Sequence, residues 1–139
     1  MNSTATLNIA EYVAQIASAC PEVEEIWLIG SRANGTERPG SDWDLVVFGR
    51  AGSLNCLKKR RELHRSDVDC LVMTDSDQFV SAWGPDRKSG SLSGWEWARV
   101  AAGQVEYTET KGRGTGDSFN VVLNRKNGVR VWPLEDHAT

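Results

Sequence analysis

The stretch GSRANGTERPGSDWDLVV, residues 30–47, limits the fold most tightly, because it sets two carboxylates, Asp42 and Asp44, two residues apart at the head of an apolar run. In a strand, residues two apart leave the same face, so Asp42 and Asp44 face together while Trp43 and Leu45 face the other way. Like charges on one face repel and are stable only with a cation between them. A hard divalent ion such as Mg²⁺ prefers carboxylate and phosphate oxygens. Just upstream, the apolar run Ile26, Trp27, Leu28, Ile29 stops at Gly30-Ser31. A strand that turns through Gly-Ser into a short helix offers backbone N–H groups and a hydroxyl to phosphate oxygens. The pattern points to one metal–nucleotide ligand held at the ends of two strands.

A third carboxylate extends it. Asp69 sits between Val68 and Cys70 at the start of the apolar run VDCLV. If that strand pairs with residues 42–48, Asp69 approaches the first two aspartates, where it could take the proton of an attacking hydroxyl. Asp67 has the same facing and competes for the role; Asp69 is preferred because an acid inside an apolar run needs a compensating function.

Around these motifs the periodicity predicts an amphipathic helix through Ile9, Tyr12, Val13, Ile16 and Cys20, capped by Asn8 and closed by Pro21. Strands are predicted over 24–29, 42–48 and 67–73, with a helix over 53–63 between the last two. The second half predicts a long loop over 76–93 with a helical turn at Phe79–Trp83, a helix over 95–102, a strand over 105–110 and a mobile glycine-rich segment over 111–117. Residues 119–123 and 129–132 flank Asn127-Gly128, a pair suited to a tight hairpin turn. No linker or repeat divides the chain, so its 139 residues are expected to form one domain.

Composition excludes several classes. A net charge of −3 argues against a grip on nucleic acid. No run approaches the length of a membrane span, and residues 1–6 lack the start of a signal peptide, so a cytoplasmic protein is expected. Cys20, Cys56 and Cys70 are odd in number and lie among apolar neighbours, which predicts buried free thiols. His64 and His137 have no partner at ligand spacing, so zinc is not expected. The basic run Lys58 to Arg61 reads as a solvated helix face, and Trp83, Trp95, Trp97 and Trp132 as packing residues.

Taken together, "GSRANGTERPGSDWDLVV" and "VDCLV" resemble the minimal nucleotidyltransferases of the DNA polymerase β superfamily, over roughly residues 8–75. Asp-x-Asp alone is common, but Gly-Ser, Arg, Gly and two Asp in order are expected by chance on the order of once in ten million starts. "GWEWARVAAGQVEYTE" is a weaker echo of the closing helix and strand, and residues 111–139 match nothing in the pattern. The resemblance implies an α/β fold, a mixed sheet with flanking helices, to which the predicted C-terminal β-hairpin is added. It implies that Gly30, Ser31 and Arg32 bind the nucleotide, and that Asp42, Asp44 and Asp69 are catalytic and bind two Mg²⁺ ions. The chain departs from it at Asn34, where many members carry arginine. The implied reaction moves a nucleoside monophosphate, AMP from ATP as the expected case, to a hydroxyl. The acceptor it suggests is a helical partner toxin modified by its antitoxin. An antibiotic-type small-molecule acceptor is the rival within enzymes, and a noncatalytic nucleotide-binding antitoxin or interaction protein the rival outside them.

Overall fold

The computed structural model describes residues 7–83, 88–113 and 120–133. Helix α1, Ile9–Ala19, starts where the Asn8 side chain accepts the Glu11 N–H at 3.1 Å, meeting one of the donors a helix leaves unpaired. It buries Tyr12, Val13 and Ile16. Strand β1 (Val23–Ile29), the single turn α2 (Ser31–Asn34), β2 (Trp43–Gly49), α3 (Ser53–Lys59) and β3 (Val68–Met73) follow, with a 3₁₀ turn at Arg61–Leu63 before β3. This half matches the predicted order.

The second half does not. Where a loop with a helical turn was expected lie β4 (Gln78–Ser81) and β5 (Ser89–Ser91), and the predicted helix over 95–102 is instead a 3₁₀ turn, Ser93–Trp95, leading into β6 (Ala98–Ala101). The strand expected over 105–110 is β7, Gln104–Arg113, which takes in part of the segment predicted to be mobile. The C-terminal hairpin exists, as β7 against β8 (Asn120–Trp132), but Asn127-Gly128 is not its turn. Both residues lie within β8, opposite Glu106 and Val105. Gly128 is there for space: a Cβ would come within 2.8 Å of Val105 Cγ2 and 3.1 Å of Ile29 Cγ2.

Eight strands form one sheet in the order β5-β4-β3-β2-β1-β8-β7-β6. Only β2 and β3 run parallel; the other neighbours are antiparallel. Alternation divides the apolar residues between the faces. Ile26, Leu45, Val47, Cys70 and Val72 pack with α1 and with Leu57 of α3, whereas Trp27, Val46, Leu71, Phe79 and Tyr107 pack with Trp95 and Trp97.

That second face must be concave. The edge strands β5 and β6 are seven strand steps apart, about 34 Å in a flat sheet. Yet only residues 92–97 join them, and a chain of that length reaches at most about 24 Å. The sheet therefore curls, and the Trp95 ring lies 4.7 Å from Phe79 of β4 and 5.7 Å from Tyr107 of β7, centroid to centroid.

One cysteine expectation is overturned. Cys20, closing α1, and Cys56 of α3 form a disulfide with Cα atoms 5.9 Å apart; folding brings together thiols 36 residues apart that spacing along the chain gave no reason to pair. Cys70 is a buried free thiol, as expected.

Candidate active site

The concave face holds a cleft of about 620 Å³ lined by Ile29, Gly30, Asp44, Asp69, Leu71, Phe79, Lys88, Ser89, Gly90, Trp95, Tyr107, Thr108 and Glu109. Its acidic core follows from register. Asp44 and Asp69 are partners on the parallel strands β2 and β3, so pleating sends both carboxylates to the concave side. The start of β3 is itself fixed: Trp43 N–H donates to Asp67 O at 2.8 Å, and Trp83 Nε1 donates to Arg65 O and Val68 O, each at 3.1 Å.

Gly30 forms the wall behind Asp44. Its φ of +76° is a conformation that favours glycine, and a Cβ there would collide with the Asp44 carboxylate. Its N–H donates to Tyr107 Oη at 2.8 Å, so this amide is already engaged within the protein.

Burial, and after it the neighbouring Asp69 charge, push the Asp44 carboxyl up to about 6, while Lys88 pulls the other way. The Lys88 ammonium donates to Asp69 Oδ2 at 2.6 Å, a bond that raises its own pKa against a smaller effect of burial. Asp67 takes no part in the cleft. The Arg65 guanidinium donates to both its oxygens, at 2.8 and 2.9 Å, and holds its carboxyl below the ordinary range.

Of the six site residues expected from the sequence, Gly30, Asp44 and Asp69 line the cleft and Ser31, Arg32 and Asp42 do not. Asp42 is exposed and lies just before β2, whose pairing begins at Trp43, so the pleat does not fix it beside Asp44. Its charge nevertheless acts on both Asp44 and Lys88. Arg32 turns to the loop instead: Nη2 donates to Ser41 O at 2.9 Å, and the guanidinium lies over the Trp43 ring at 4.3 Å. It thereby anchors the segment leading to Asp42. Asn34, at the position where the resemblance expects arginine, bonds to Gly30 O and to the β8 backbone.

Sequence reasoning missed Lys88, Trp95, Tyr107, Thr108 and Glu109. Tyr107 and Glu109 fall in the echo "VEYTE", but Lys88 carries no motif and reaches Asp69 only through the β4–β5 return.

The donor chemistry fits a hard divalent cation: two oxygen-only side chains face one another and one is destabilised by the other's charge. Among the described residues no three His, Cys, Asp or Glu groups gather as a ready cluster, so a metal held by Asp44 and Asp69 would complete its shell with ligand or water oxygens.

Residues 11–78, just under half of the chain, match the family model for polymerase beta nucleotidyltransferases. No curated protein matches the chain. Two solved structures are similar to it. One is a protein from Sulfolobus solfataricus provisionally assigned as a nucleotidyltransferase, 28% identical over 46% of this chain and 61% of that one, with a TM-score of 0.39. The other is a toxin-antitoxin structure with AMP-PNP, 22% identical over 58% of this chain and 76% of that one, with a TM-score of 0.37. The chain thus spans less than two thirds of the length of the first.

Proposed function

We propose that this chain, whose residues 11–78 match the polymerase beta nucleotidyltransferase family model, transfers a nucleoside monophosphate from a triphosphate to a hydroxyl. The observation that carries the reading is the in-register pair Asp44 and Asp69, set against Gly30 in a cleft of about 620 Å³. That volume suits one small ligand. The cleft is lined both by carboxylates and by the rings of Phe79, Trp95 and Tyr107, a combination that suits phosphates joined to a planar base.

In this reading Asp44 and Asp69 hold Mg²⁺, which supplies charge neutralisation for the phosphates and the departing pyrophosphate. Asp42, exposed on the loop that leads into β2, would be the donor for a second ion. The acceptor oxygen attacks the α-phosphorus in line, the bond from that phosphorus to the bridging oxygen breaks, and Asp69 takes the hydroxyl proton. Since the cleft is the size of a single ligand, the acceptor arrives from outside it. A hydroxyl on a partner protein, of the toxin–antitoxin kind, is our assignment, with ATP as the first donor. The compartment that supplies ATP and Mg²⁺ is the cytoplasm; there, reducing conditions would open the Cys20–Cys56 pair.

Incubation with each labelled nucleoside triphosphate, Mg²⁺ and candidate acceptors tests the proposal. Transfer should occur in wild type and in Asp67→Asn, and fall by at least about a hundredfold in Asp44→Asn and Asp69→Asn with the fold retained, as for loss of a charged group acting in the transition state. Wild-type transfer by both of the latter variants would overturn the mechanism.

A further inference from the structure

Lys88 is the one cation among the described residues lining the cleft, against the carboxylates of Asp44, Asp69 and Glu109. It lies outside the stretch 11–78 that carries the family pattern. Its backbone is fixed: the N–H donates to Ser81 Oγ at 2.9 Å, and its carbonyl accepts the Ser81 N–H at 2.8 Å. Ser81 is buried on β4, so the base of the side chain cannot drift. The head can, because the Lys88 side chain is 57% exposed while that of its partner Asp69 is 17% exposed.

This arrangement sets up a competition. The Lys88 ammonium sits 2.6 Å from Asp69 Oδ2, on a carboxylate that a divalent ion would need. A Mg²⁺ ion on the same oxygen would leave two cations roughly 4 Å apart, a strong repulsion in a partly buried site. The ammonium has to leave when the ion arrives, and its fixed base keeps it at the cleft. A new anion must then receive it, or the exchange loses one ion pair.

Resting on the nucleotidyltransferase reading, we propose that Lys88 neutralises Asp69 in the ligand-free protein and yields it to the divalent ion, its ammonium passing to a phosphate oxygen of the nucleotide. Cation and triphosphate therefore bind as a coupled pair. Lys88 masks the metal site in the absence of nucleotide and is a phosphate-binding residue in its presence.

The coupling predicts effects of opposite sign from one substitution. In calorimetry with Mn²⁺ alone, Lys88→Met should bind the ion about fivefold or more tighter than wild type, because Asp69 is released. With Mg²⁺ and a non-hydrolysable ATP analogue, the same variant should bind the analogue about tenfold or more weaker; both factors lie in the usual range of coupling between sites. Lys88→Arg, which keeps the charge, should leave Mn²⁺ as weak as in wild type. Unchanged or weaker Mn²⁺ binding by Lys88→Met overturns the masking, and unchanged analogue affinity overturns the transfer to phosphate. Should wild type bind Mn²⁺ but no analogue, the nucleotide reading itself fails, while the Mn²⁺ comparison still judges the masking of Asp69.

Discussion

Asp44 is where the site works against the fold. It is pressed against Gly30, faces Asp69 across the β2–β3 pair and has its carboxyl pushed up to about 6 from 3.8, first by burial and then by that neighbour. For an acid raised in the folded state, the folded form binds the proton more tightly than the unfolded form does. The associated stability is complete below about pH 4 and is lost as pH rises through about 6. At about 1.4 kcal/mol per pKa unit, ionised Asp44 costs the metal-free fold at most about 3 kcal/mol, less what solvent screens. In chelator at pH 7.5, Asp44→Asn should therefore melt several degrees above wild type, and the gap should close as pH is lowered to 4. A gap that is absent, or that widens on acidification, would contradict the strain assigned to this carboxylate. The aspartates were legible in the sequence because charge inside an apolar strand is a local anomaly. Lys88 was not: nothing near it in the chain says that β5 returns it to Asp69.

Among the elements, α2 is a single turn and has little stability of its own. What holds it is Asn34. Strand β1 ends at Ile29, leaving the next stretch of β8 without a neighbour on that side. The Asn34 amide continues the ladder there: its Nδ2 donates to Asn127 O at 3.0 Å, and its Oδ1 accepts the Asn127 N–H at 2.9 Å. The same Nδ2 donates to Gly30 O at 2.7 Å, tying α2 to the residue behind Asp44. Asn34→Ala removes all three bonds from a partly buried site, so it should lower stability by about 1–2 kcal/mol. Hydrogen exchange at the Asn127 amide should speed up in that variant while exchange in α1 does not; unchanged protection at Asn127 would show that the side chain does not carry the ladder. The same strand explains the misplaced turn. Asn-Gly is a strong local signal, but β7 and β8 pair continuously from Gln104↔Val129 to Arg113↔Asn120, and that long-range pairing, together with the space Gly128 leaves for Val105 and Ile29, overrides the local preference.

For the molecule as a whole, the cleft exists because the sheet curls, and the curl was invisible in the sequence because it depends on which strands become the edges. Short continuous apolar runs gave β1, β2 and β3 correctly, since each is a local pattern. They gave no reason to expect that residues 92–97 would span from one edge strand to the other. Trp95 sits in that connection and touches both sides of the curl, Phe79 on β4 and Tyr107 on β7, while also lining the cleft. A tryptophan read as generic packing is thus a contact between the two cleft walls, placed to brace them. Truncation of a buried tryptophan costs about 3–5 kcal/mol; Trp95 is only partly buried, so Trp95→Ala should cost about 2 kcal/mol in urea unfolding. Because the walls would no longer be held, the same variant should also bind the ATP analogue with Mg²⁺ about tenfold more weakly, the scale of one lost stacking contact. Trp95→Phe, which keeps a ring between Phe79 and Tyr107, should recover most of both. If Trp95→Ala weakens the analogue and leaves stability untouched, Trp95 is a ligand contact and does not brace the sheet; if stability falls and affinity does not, the cleft keeps its width without it and the curl is held elsewhere.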